Sequence, residues 1–390
     1  MFPRLPLTAL LLVAAASGAF ASVAPKVTEG VLYSFQGGPS DGASPRGSLA
    51  TDGTNFYGTT FLGGPNSCKH YSGCGTVFSV TPGGTETVMH LFAGKKEGGN
   101  PEGDVVASGG IVYGTTLNGG VFDYGTGFSV NQDGTFSRLH SFGQGTPSDG
   151  LNPAGGLILV GKTLYGTTEI GGADGGGAIF KMNTHGRESL VYSLNYPNDG
   201  GEILTPLVYA GGTFYGTTEN GGTGGDGVVF SVTPSGTYKV LHSFQGGSDG
   251  MGAVGALVNV GGTLYGATAQ GGNAACQFGC GTIYTISQSG TYTQLYQFNN
   301  SGSNDGANPG GGLTNVKGTL YGVTQNGGTG LDGTVFAIST AGAEKVVYNF
   351  ASLNDAALPT GTLLDVGGTL YGESLLGGAN NQGTVFWVKP

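Results

Sequence analysis

Leu264-Tyr-Gly-Ala-Thr268 decides the fold, because it recurs. Related segments stand at Phe56–Thr60, Val112–Thr116, Leu164–Thr168, Phe214–Thr218, Leu320–Thr324 and Leu370–Ser374. Their tyrosines are Tyr57, Tyr113, Tyr165, Tyr215, Tyr265, Tyr321 and Tyr371, spaced 56, 52, 50, 50, 56 and 50 residues apart. A period of about fifty residues marks a repeat architecture in which each copy is one supersecondary unit.

Working outward from the fifth copy gives the unit. Ala256–Val260 reads as a strand, Gly261-Gly262 as a tight turn, and Thr263–Thr268 as the next strand. A loop with Gly271-Gly272, Cys276 and Cys280 leads to a third strand, Gly281–Ile286. A turn at Gln288-Ser-Gly290 leads to a fourth, Tyr292–Phe298. Glycine-bearing turns between short apolar and β-branched runs predict antiparallel hairpins, and no stretch has a helical period. The chain has 82 glycines in 390 residues, and they read as this turn punctuation rather than as low complexity.

Four-stranded units at this spacing predict the blades of a β-propeller. With strands named a to d, an isolated d-type strand, Gly30–Phe35, precedes the first unit. The last unit ends on its c strand, Gly383–Trp387, with no d strand after it. The count balances if the N-terminal strand completes the seventh blade, which also covers an otherwise unpaired edge. The prediction is an all-β, seven-bladed propeller; an open solenoid needs polar caps at both ends instead. Glycine inside strand b predicts close approach of something large. We expect an aromatic ring from an adjacent blade there, the Phe of Gly-Thr-Val-Phe; the rival reading is seven exposed functional tyrosines.

The N-terminus carries Arg4, an apolar run from Leu5 to Ala16, and Ala19-Phe20-Ala21 as a cleavage motif. Residues 1–21 read as a secretory signal peptide and 22–390 as a single propeller domain. The reading places the protein in the periplasm or outside the cell, as a monomer with no membrane span once the signal is removed. In an oxidising compartment, Cys68 with Cys74 and Cys276 with Cys280 predict two local disulfides. A shared four-cysteine zinc site is the alternative, but the pairs fall in the first and fifth repeats, which are not neighbours on a ring of seven. The net charge of −10, or −11 without Arg4, argues against nucleic acid and anionic membranes.

Strand alternation puts the d-to-a and b-to-c loops on one rim and the tight turns on the other. Binding residues gather on loops held by a rigid scaffold, so any site belongs on the loop-rich rim. Its residues that depart from the repeat are Arg46, Lys69, His70, Tyr71, Lys95, Lys96, Asp104, Asp123 and Tyr124. Such aromatic and polar groups can hold sugar rings; drift in tolerant loops explains them equally. A repeated carboxylate also stands on this rim: Asp41, Asp149, Asp199, Asp249, Asp305 and Asp355. It reads as a turn-forming group accepting backbone N–H bonds, or as a carboxylate ring attracting cations or hydroxyl-rich ligands. His90, His140 and His242 alternate with tyrosines at one strand-d position and read as packing residues. Three arginines remain beyond the signal (Arg46, Arg138 and Arg187), too scattered to converge on one carboxylate. No nucleophile elbow, phosphate loop, HExxH or dinucleotide fingerprint is present, so no cofactor and no catalytic residue is assigned.

The Tyr-Gly segments, the Gly-Gly that follows them, Gly-Thr-Val-Phe with its variants, and (His/Tyr)-x-Phe before Asp-Gly together resemble the GloVer tandem-repeat family of exported bacterial proteins. The resemblance covers nearly everything after the signal. It implies an extracellular location and no established activity. Some members carry C-terminal surface anchors, and this sequence shows none. The expectation is a secreted, non-enzymatic module binding a glycan or envelope protein on its loop-rich rim; the alternative is a polysaccharide-cleaving, lyase-like enzyme on the same scaffold.

Overall fold

The computed structural model describes residues 27–65, 67–68, 71–143, 149–300, 305–351 and 354–390. The segment assigned to the signal peptide lies outside them. The described residues form seven antiparallel blades, each running a-b-c-d from the central channel outward. Blade five is Met251–Val260, Thr263–Gln270, Thr282–Ser287 and Tyr292–Gln297. In blades one and six the a strand is broken in two, as Gly42–Pro45 with Ala50–Thr51 and Gly306–Pro309 with Thr314–Val316. The ring closes as predicted. Thr28–Ser34 pairs antiparallel with Thr384–Lys389 and becomes the outer strand of the seventh blade. Among the described residues, no helix is long and apolar enough to cross a membrane.

The Tyr-Gly pair shows how blades are filled. Each of its glycines is paired across the sheet with the aromatic residue of strand c in the same blade: Gly58 with Phe78, Gly216 with Phe230, Gly266 with Tyr284. A methyl group on Gly216 would lie 2.6 Å from Phe230 Cζ. The covering ring therefore comes from the glycine's own blade, not from a neighbour. The neighbour supplies a second ring instead. In six of the seven seams the Phe ending strand d meets the next blade's strand-c aromatic edge-on, as in Phe35–Phe78 at 5.0 Å and Phe244–Tyr284 at 5.4 Å; blade three carries Leu194 there instead. Such edge-to-face pairs add specific geometry to area burial. The tyrosines are largely buried in these seams; Tyr57 is 2% exposed.

Buried hydroxyls line the same strands. Thr60 meets Thr76 at 2.9 Å, Thr324 meets Thr334 at 2.8 Å, and Ser374 meets Thr384 at 2.8 Å. This pairing is why Thr recurs both after Tyr-Gly-x and in Gly-Thr-Val-Phe, since buried polar groups need partners.

Every blade also carries a bulge in strand d, leaving one apolar residue unpaired: Leu32, Met89, Leu139, Val191, Leu241, Leu295 or Val347. A bulge re-aims the side chain beside it. Here it turns the following His or Tyr toward the loop carboxylate. The bulge is not visible in the strand periodicity, because one extra apolar residue only extends an apolar run.

Both disulfides form within one loop each, Cys68–Cys74 and Cys276–Cys280. The first is buried against blade two, where Gly94 and Gly99 leave room for its sulfurs.

Candidate functional site

The b strands run past Tyr-Gly to the mouth of the central channel. The fourth residue after each repeat tyrosine faces a concavity of about 590 Å³ there. In blade order these residues are Phe61, Leu117, Glu169, Glu219, Ala269, Gln325 and Leu375. A second ring, eleven residues before each tyrosine, comes from the a strands and the segments that flank or interrupt them and contains Arg46, Glu102, Leu204 and Thr360. The backbone here is repeated but the side chains are not. One sector, from blades seven, one and two, is apolar, with Leu375, Phe61 and Leu117. Tyr71 joins it from the first disulfide loop, with its ring edge-on to Phe61 at 4.8 Å. The facing sector, in blades three and four, is acidic.

Among the described residues, Arg46 is the cation of this wall. Its Nη1 donates to Glu102 Oε1 at 2.6 Å, and its guanidinium lies 3.8 Å from the centre of the Phe61 ring. Its Nε is buried and unpartnered. Burial raises the Glu169 carboxyl above the usual range, and the charges of Glu102, Glu202 and Glu219 raise it further. Burial, then Glu202, does the same to Glu219. Asp104 is held by the Ser48 N–H at 2.7 Å, yet its burial pushes its carboxyl up. A concave site with convergent polar groups and perturbed carboxyls is where binding or catalysis is sought first.

The structure divides the residues singled out from sequence. Arg46, Tyr71 and Asp104 share the channel mouth. Asp123 lies apart, in a pocket of about 300 Å³ with Lys95 beside the first disulfide. Tyr124 is exposed farther out on the rim, over Gly143. Lys69 and His70 lie outside the described residues. Sequence reasoning missed Glu102, Glu169, Glu219 and Phe61. The column four residues after each repeat tyrosine, which reads Phe, Leu, Glu, Glu, Ala, Gln and Leu, holds three of them.

The repeated aspartates do not line the channel. They clamp the outer seams, where Asp41 accepts from the Tyr33 hydroxyl (2.9 Å), the Gln36 N–H (2.7 Å) and the Gly42 N–H (2.6 Å). Asp355 accepts in the same way from Tyr348, Ala351 and Ala356, and Asp199 from Tyr192 and Asn195. Asp249 and Asp305 hold the Gln245 and Asn299 N–H groups, and Asp149 lies 3.1 Å from His140 Nε2. In blade two, where the aspartate is missing, Glu97 takes its place against His90 (3.0 Å) and the Ala93 N–H.

The next blade's strand d often adds a glutamate to this clamp. Glu86 and Glu344 are each pushed up to about 7, by burial and then by the neighbouring Asp41 or Asp305. Glu29 is pushed up to about 7 by burial and Asp355. A carboxyl whose folded pKa is raised stabilises the fold fully below its unfolded value, and that contribution is lost as pH rises through the folded value. The window here runs from about 4.5 to about 7. Allowing for their partial exposure, each group contributes roughly 1–2 kcal/mol. The melting temperature should therefore fall from pH 5 to pH 8 in a thermal unfolding series. Glu86→Gln with Glu344→Gln should flatten that fall; an unchanged slope would refute this origin.

The family model described as Gloeobacter/Verrucomicrobia repeat matches residues 67–273 and 185–386, most of the chain. The chain belongs to the Gloeobacter/Verrucomicrobia repeat family. No curated protein sequence matches it. Among solved structures, this repeat protein is similar to a gluconolactonase from Xanthomonas campestris, at 12% identity and a TM-score of 0.40 over 68% of this chain and 78% of that one. A luciferin-regenerating enzyme shares 11% identity at a TM-score of 0.43, over 90% and 92%. The Trypanosoma rangeli sialidase shares 12% at 0.44, over 94% and 59%. Likeness at this level transfers no activity to the repeat family.

Proposed function

We propose that the protein is an exported binding propeller that holds a hydroxyl-rich ligand, a glycan in free or surface-attached form, at the channel mouth on its loop-rich rim. One observation carries this reading: at the channel mouth a sevenfold-repeated backbone turns a different side chain from almost every blade (Phe61, Leu117, Glu169, Glu219, Ala269, Gln325 and Leu375) toward one concavity. Phe61 and Tyr71 offer apolar faces for a sugar ring, the partly exposed Arg46 guanidinium donor groups, Glu169 and Glu219 acceptors, and Gln325 both. The two disulfides suit an oxidising, extracytoplasmic compartment.

A thermal-shift screen of the mature protein against glycan pools tests it. A ligand at a hundred times its Kd should stabilise by about 2.7 kcal/mol. Glu169→Gln with Glu219→Gln should abolish that shift without lowering the melting temperature of the free protein. No ligand from the pools, and none captured from the native envelope, would sink the proposal.

The raised carboxyls of Glu169, Glu219 and Asp104 favour a second reading, cleavage of a bound polysaccharide, because acid–base catalysis uses such groups. Release of unsaturated or reducing ends from a uronate polymer, lost in the same double variant, would support it. Binding without turnover excludes it.

A further inference from the structure

The outer seams contain a natural series of side-chain combinations. Each seam joins a His or Tyr from one strand d, a loop carboxylate, and a residue from the next blade's strand d. Two of the three histidines stack on aromatic rings from that neighbour: His90 on Phe136 at 4.2 Å and His242 on Tyr292 at 3.9 Å. Three glutamates from that neighbour face tyrosines instead: Glu86 faces Tyr33, Glu344 faces Tyr296, and Glu29 accepts from Tyr348 at 3.0 Å. Among the described residues, only the seam between blades two and three combines a histidine with a glutamate from the next blade's strand d. There His140, Asp149 and Glu188 bring one ligand atom each to within 4.8 Å of one another. His140 Nε2 is 3.1 Å from Asp149 Oδ1, with side chains 11% and 7% exposed. Glu188 Oε1 is buried without a hydrogen-bond partner.

We propose that His140, Asp149 and Glu188 form a binding site for one divalent transition-metal ion, of the zinc type. An imidazole nitrogen with two carboxylates is a donor set for zinc, whose ligands lie at about 2.0–2.2 Å and hence roughly 3.4 Å apart in a tetrahedron. The three side chains need only small rotations to close on an ion, and a water completes the coordination. Tyrosine at the histidine position removes the nitrogen donor, and an aromatic residue at the glutamate position removes a carboxylate. The other seams therefore lack the set. Because His140 and Asp149 belong to blade two and its outgoing loop while Glu188 belongs to blade three, the ion would tie two blades together at the outer edge.

The test uses tag-free mature protein stripped with EDTA and titrated with Co²⁺ and Zn²⁺. One Co²⁺ per chain should bind, with the visible d–d bands of a four-coordinate site, be displaced by Zn²⁺, and raise the melting temperature. His140→Tyr installs the residue that four other seams carry, so it should fold normally and lose both the bands and the metal-dependent shift. Glu188→Gln should weaken binding, and His242→Tyr should leave it unchanged. Absence of cobalt bands, or bands that survive His140→Tyr in a folded protein, would overturn the assignment and leave the cluster as an ion-paired staple.

Discussion

Deleting residues 27–35 should prevent the ring from forming. The deletion strips strand d from the last blade and leaves Thr384–Lys389 as an open edge carrying Val385, Phe386 and Val388. It also removes Phe35, fully buried at the seam with blade one. Losing a core Phe costs about 3–5 kcal/mol on its own, and a strand's ladder of hydrogen bonds goes with it. A typical folding margin is about 5–15 kcal/mol in total, so little or nothing should remain. The exposed apolar edge also invites pairing between chains. We expect the truncated chain to aggregate or to elute as a loosened species in size-exclusion chromatography, and a peptide covering Thr28–Phe35 to restore cooperative melting in part. A monomeric truncation that melts like the intact protein would refute closure by this strand.

The second large effect is expected inside a blade. Gly216→Ala should destabilise by about 1–3 kcal/mol through overpacking. The added methyl would meet Phe230 Cζ at 2.6 Å and Leu207 Cδ2 at 3.0 Å, and both belong to the packed seam. Phe230→Ala should cost about 3–5 kcal/mol, because it leaves a cavity where no side chain can follow. The two changes are coupled: Gly216→Ala with Phe230→Leu should cost less than the sum of the single variants, since the smaller side chain makes room. Chemical denaturation of the four proteins measures this. Strict additivity would mean that ring and glycine do not share a volume.

The fold was legible because its signals are local and repeated. The Tyr-Gly ruler counted the blades, and the orphan strand before the first unit showed how the ring closes. The source of the ring over each glycine was not legible. Pattern alone names the Phe of Gly-Thr-Val-Phe but does not say which of two neighbouring sheets holds it, and the structure pairs it within the same blade. The strand-d bulge was also hidden, and with it the reason for the loop aspartates' partners: the extra residue turns His or Tyr onto the carboxylate. At the channel mouth, three of the residues chosen for departing from the repeat converge: Arg46, Tyr71 and Asp104. Glu169 and Glu219 were overlooked because they sit inside the repeat rather than in an insertion. Position just past the end of a b strand, not loop length, brings them to the mouth.

The most direct measurement of the functional proposal is the crystal structure of the mature protein with the first glycan that stabilises it. The account predicts ligand density in the channel mouth, against Phe61 and Tyr71 on one side and Glu169 and Glu219 on the other. Density confined to the tight-turn rim, or to the separate pocket beside Asp123, would contradict it.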